Sequence, residues 1–117
     1  MKFTDNPKFG SSTCFTGKFD REAFRGYAAA GIDCVELYTN YNNYFNAWEF
    51  VARPEDYARI AADEGVEIWS VHLPFSRKLD ISNEDKELRA VTLYTDRAMI
   101  RASARAGAKV IVLHPSS

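Results

Sequence analysis

Three stretches decide the fold: AAAGIDCVELY (28–38), AADEGVEIWSVH (61–72) and ARAGAKVIVLH (104–114). Each is an alanine-rich helix end, then a glycine (Gly31, Gly65, Gly107), then a short apolar run. A glycine just past a helix takes the left-handed conformation without a Cβ clash, so each one reads as a helix cap. The runs that follow are rich in β-branched residues and short enough to be strands. One supersecondary unit is therefore repeated along the chain. Helix starts lie upstream of each glycine. Asp20 caps a helix over 21–30. Pro54 suits the first turn of a helix over 54–64, where its missing N–H is not needed. Ser82 with Asp85 resembles a capping box for a longer helix over 83–106. On that helix Leu88, Val91, Tyr94, Ala98 and Ala102 recur at spacings of three and four, which predicts one buried stripe. FGSSTCFT (9–16) supplies a first strand. Strands alternating with helices imply a parallel α/β sheet with right-handed crossovers, either open or part of a closed barrel. The expectation is one unit over 1–117 with about four strands and three helices.

Composition bounds what such a unit can do. The chain has 117 residues, enough for one domain but short of the roughly 250 of a complete eight-stranded barrel. Fifteen basic and sixteen acidic residues leave a net charge of -1, with no surplus to neutralise a phosphate backbone. That balance disfavours nucleic acid as a partner. No apolar run approaches the ~20 residues needed to span a membrane, and MKFTDNPKFGSS lacks the apolar centre of a signal peptide. Cys14 and Cys34 do not make a disulfide framework, and free thiols fit a cytoplasmic protein.

Counting from the glycines gives a register. Seven residues on stand Tyr38, His72 and His114; five on stand Glu36, Ser70 and Val112. The two offsets share parity, so these side chains are expected on one face of the sheet. Tyr38, His72 and His114 fall at the carboxyl ends of their strands, where parallel α/β folds build their sites. The protein's two histidines thus occupy equivalent positions on successive strands. Neutral imidazoles presented side by side can ligate a divalent metal, hydrogen-bond sugar hydroxyls, or simply anchor a loop. Two ligands do not complete a zinc site, which takes at least three from the protein. Glu36 can orient a histidine, bind a substrate hydroxyl, or pair with a basic neighbour.

Two loops follow the strands. Between Tyr38 and Phe50 lie Tyr41, Tyr44, Phe45 and Trp48, with Asn40, Asn42, Asn43 and Asn46 among them. Aromatic faces can cover the C–H face of a sugar and asparagines can bond its hydroxyls, with Trp48 as one wall; the alternative is a lid packed on its own scaffold. Arg77 and Lys78 can meet an anion such as a sugar phosphate, or belong to a solvated loop. There is no CxxC spacing, glycine-rich phosphate loop or GxSxG.

VHLPFSRKLDIS (71–82), a long helix and AGAKVIVLHPSS (106–117) together resemble the xylose-isomerase-like barrel superfamily. That group holds sugar phosphate isomerases and epimerases and the endonuclease IV type of apurinic/apyrimidinic endonuclease. GIDCVELY (31–38) is similar to its second-strand segment, with a glycine before a strand that carries a glutamate. The resemblance covers nearly the whole chain but only the first half of a (β/α)₈ barrel. It implies that His72 and His114 are metal ligands or pocket-lining residues, and that Glu36 is the inward glutamate of strand two. It also implies a divalent cofactor (manganese, magnesium, cobalt or zinc). The activity expected is sugar or sugar-phosphate isomerisation or epimerisation, by metal-assisted proton transfer next to a carbonyl. The carboxylates that move the proton would come from strands five to eight, so the chain is expected to be an inactive fragment of a longer barrel. Two alternatives stand beside this: a metal-dependent endonuclease acting at abasic sites, and a noncatalytic half-barrel that binds carbohydrate or self-assembles through its open edges.

Overall fold

A computed structural model describes residues 8–16, 18–39 and 47–116. The elements run β1 (Gly10–Ser12), a 3-10 turn (Thr13–Phe15), α1 (Arg21–Ala29), β2 (Cys34–Tyr38), α2 (Ala47–Ala52), α3 (Pro54–Asp63), β3 (Glu67–His72), α4 (Lys86–Arg105) and β4 (Val110–Val112). All neighbouring strands pair in parallel, in the order β1-β2-β3-β4. A doubly wound sheet reverses its strand order part-way. This sheet does not, so it is a barrel arc with its helices on one face. No helix among the described residues is long and apolar enough to cross a membrane.

The repeated glycines act as their position requires. Gly31, Gly65 and Gly107 have φ of 79°, 77° and 82°. After α3, the Val66 N–H donates to the Ala61 carbonyl and the Gly65 N–H to that of Ala62; α1 and α4 end in the same pair of bonds. Carbonyls that the last helical turn would leave bare are satisfied this way, and the chain is turned into the next strand.

The sequence reading needs three corrections. A fourth helix, α2, lies where a loop was expected: AWEFVA has only six residues, too few to display a period, and is anchored by buried Phe50, with an exposed Arg53–Glu49 ion pair at its end. The long helix begins at Lys86, and its cap is Asp85, which accepts from the N–H groups of Glu87 and Leu88. Ser82 instead donates its hydroxyl to Asp80. The buried stripe of α4 is Thr92, Thr95, Asp96, Met99, Ala102 and Ser103. Of the residues expected there, Ala102 is buried, but Val91 and Tyr94 point outward. Hydroxyls can enter the core because the helix satisfies them: Thr92 donates to the Leu88 carbonyl (3.0 Å) and Ser103 to that of Met99 (2.7 Å).

The core is the layer between sheet and helices. Val35, Leu37, Ile68 and Val71 face Phe24 of α1, Phe50 of α2, Ala61 of α3 and Met99 of α4, all at most 3% exposed. Strand residues of the other parity, Cys34, Glu36, Ser70, His72, Val110 and Val112, point to the opposite face, which would be the inside of a barrel.

Candidate functional site

The carboxyl ends of the strands gather an aromatic cluster. Tyr38 ends β2 and pairs with His72, which ends β3. His72 pairs in turn with Val112, so His114 stands two residues further along. The equal glycine offsets therefore preserve the face but not the level; strands of a barrel are staggered by its shear, and the slip of two keeps the pleat in phase. The stagger still brings the two histidines together, with Nε2 atoms 3.1 Å apart.

Several contacts fix these rings. His72 Nδ1 lies 3.0 Å from the Leu73 carbonyl oxygen, which assigns the proton to Nδ1 and leaves the Nε2 lone pair facing His114. The His72 carbonyl accepts from both the N–H (3.2 Å) and the hydroxyl (2.6 Å) of Thr39, which is wholly buried. The Leu73 N–H donates to the Val112 carbonyl. Phe75 stacks on His114 at 3.8 Å and 7°, and Tyr38 tilts against His72 at 5.1 Å. Phe75 and Thr39 escaped the sequence reading. The H-x-P-F spacing was a signal for the phenylalanine, whereas nothing in a lone threonine marks it as a strand-end clamp.

Glu36 lies one pleat back, between Ser12 of β1 and Ser70 of β3. It forms no hydrogen bond or ion pair among the described residues, so the basic partner considered above is not there. With Gly10, Ser12, Cys34, Trp69 and Ser70 it lines an open pocket of about 330 Å³. At the amino ends of the strands, Glu67 pairs with Lys8 and Lys109, and both ammonium groups lie over the Trp69 ring. The two lysines hold the Glu67 carboxyl below its ordinary range, Lys8 most strongly. Burial raises the Cys34 thiol; it and Cys14 are free.

The other expected residues lie apart from the cluster or beyond description. Trp48 stands on α2, where its ring is 6.2 Å from Tyr94 of α4. Arg77 and Lys78 are exposed in the β3–α4 loop, which Ser76, Asp80 and Asn83 tie together by hydrogen bonds. Asn40, Tyr41, Asn42, Asn43, Tyr44, Phe45 and Asn46 lie outside the described residues. Among the described residues no group of three or more His, Cys, Asp or Glu could hold a metal ion.

Comparison with known proteins places the fold. No protein-family model matches the chain, and no curated protein matches its sequence. Among solved structures it is similar to a D-psicose 3-epimerase crystallised in the presence of D-fructose, with a TM-score of 0.67 and 18% identity. The match covers 90% of this chain and 36% of that one, so this chain spans little more than a third of the epimerase's length. The architecture is that of half a (β/α)₈ barrel, shared with a sugar epimerase.

Proposed function

We propose that this chain forms one side of the active site of a sugar or sugar-phosphate isomerase or epimerase. The observation that carries the reading is the pair of imidazole Nε2 atoms 3.1 Å apart at the carboxyl ends of β3 and β4, on a fold shared with a sugar epimerase. Their spacing suits one divalent ion. With metal–nitrogen bonds of ~2.0–2.1 Å, two nitrogens this far apart subtend roughly 100°, between octahedral and tetrahedral values. The Nδ1–H bond from His72 to the Leu73 carbonyl is the outer contact that metal-bound histidines make. His72 and His114 would hold the ion, and imidazole ligands favour manganese, cobalt or zinc over magnesium. When bound, such an ion polarises the carbonyl and hydroxyl oxygens of an open-chain sugar.

The chain's own residues supply the rest of this wall. Tyr38 and Phe75 offer ring faces to sugar C–H groups beside the histidines. Glu36, without a protein partner among the described residues, is available to a substrate hydroxyl. Further ligands and the carboxylates that shuttle the proton would come from strands other than these four.

Two measurements test this. Titrated with Co²⁺, the chain should develop visible absorption that His72→Ala and His114→Ala each abolish; no metal uptake counts against the histidine pair. The intact gene product, given ketoses and their phosphates in D₂O with manganese, should exchange the C–H next to the carbonyl. Absence of both turnover and exchange overturns the assignment.

A further inference from the structure

The outward side of α4 carries a pattern that the barrel core does not use. Glu87 and Arg101 stand seven residues to either side of Tyr94, Ala90 and Ala98 four, Val91 and Arg97 three. Residues at these spacings share one side of a helix. Tyr94 is 69% exposed and Val91 53%, and a shallow groove of about 380 Å³ runs along Ala90, Tyr94, Arg97, Ala98 and Arg101. Glu87, Arg97 and Arg101 are exposed and form no ion pair or side-chain hydrogen bond among the described residues.

About Tyr94 the stripe is symmetric in size at Ala90 and Ala98 and opposite in charge at Glu87 and Arg101, whereas Val91 on one side answers to Arg97 on the other. A two-fold axis through Tyr94, perpendicular to the helix, lays a second α4 antiparallel on the first. Glu87 then meets Arg101 of the partner subunit, and Ala90 meets Ala98 of the partner subunit. Tyr94 meets its own copy at the centre, with Trp48 extending the apolar patch. A two-fold contact must be self-complementary in this way. The alanines let the backbones approach, and opposite charges face each other at both ends. A parallel pairing would set glutamate on glutamate.

We propose that α4 is the contact surface of an antiparallel homodimer. This is independent of the sugar reading and uses a helix face, not the open sheet edges. One helix pair is a small interface, at the low end of the range for specific contacts, so the dimer is weak and its end charges make it salt-sensitive.

Sedimentation velocity from micromolar to near-millimolar concentration tests it. The chain should pass from monomer to dimer, and Glu87→Arg and Arg101→Glu should each weaken association by roughly tenfold or more through like-charge contact. The double variant Glu87→Arg/Arg101→Glu should restore it. All three should keep the helical circular dichroism of the parent, since both positions are exposed. A monomer at every concentration overturns the proposal. So do single variants that associate as the parent does, which would assign the contact to the sheet edges, and so does a double variant that fails to recover.

Discussion

Asp96 is the charged residue most at odds with its surroundings. It lies on the buried side of α4, is 7% exposed, and forms no ion pair or side-chain hydrogen bond among the described residues. Burial raises its carboxyl above the ordinary value of 3.8. Between that value and the raised one, the folded protein keeps a proton that the unfolded chain releases. Stability therefore falls as pH rises through this window, and at neutral pH the cost of the buried charge is fully present. Glu67 works in the opposite sense: its lowered carboxyl stabilises above about the ordinary value of 4.5, and that contribution is lost on acidification. Comparing parent with variant separates the two. Asp96→Asn should raise the unfolding free energy at pH 7, read from urea titration, by roughly 0.5 kcal/mol on the scale of a modest single substitution. The advantage should shrink towards pH 4, and a less stable variant at pH 7 would mean that the carboxylate has a favourable role. Neither sequence period nor composition marks Asp96 as buried. On a helical wheel it sits among threonines, and those are core-facing here only because the helix satisfies their hydroxyls or its neighbours cover them.

At the scale of elements, the helix–glycine–strand repeat was legible because each of its signals has a local cause. The glycine position needs a left-handed turn, the alanines crowd a helix end, and the β-branched run needs room for pleats. Gly65 isolates the first of these. A Cβ built there meets nothing within 4 Å, so substitution adds backbone strain without a clash. Gly65→Ala should cost about 1–2 kcal/mol, the left-handed penalty of an ordinary residue. Gly65→Asn should cost less, since asparagine visits that region more readily. Equal urea midpoints for parent and alanine variant would contradict the capping role. Less was legible where an element depends on partners distant in sequence. Strand parity put Tyr38, His72 and His114 on one face, but the two-residue slip of β4 is set by sheet shear, which no single strand encodes. The six residues of α2 are helical in the company of α3 and α4, with Phe50 fully buried between layers, and carry no period of their own.

Among the described residues, helices pack on one side of the sheet. They bury Val35, Leu37, Ile68 and Val71, whereas the other face carries Glu36, Ser70, Val110 and the histidines. This asymmetry predicts how the chain tolerates change. Leu37 is completely buried, and Leu37→Ala removes contacts from the single core and leaves a cavity, at a cost of about 2–5 kcal/mol. A domain of this size has about 5–15 kcal/mol in all, so the variant should lose much of its cooperative unfolding transition. Val110 has the same aliphatic character but the opposite parity and is 45% exposed. Val110→Thr keeps its β-branched shape and should change the unfolding free energy read from urea titration by no more than about 0.5 kcal/mol. If the two substitutions cost the same, the open face is buried in solution and the chain is enclosed by something on that side. If they differ as expected, the helix-facing layer around Leu37 contributes far more to the stability of the sheet than the exposed position at Val110.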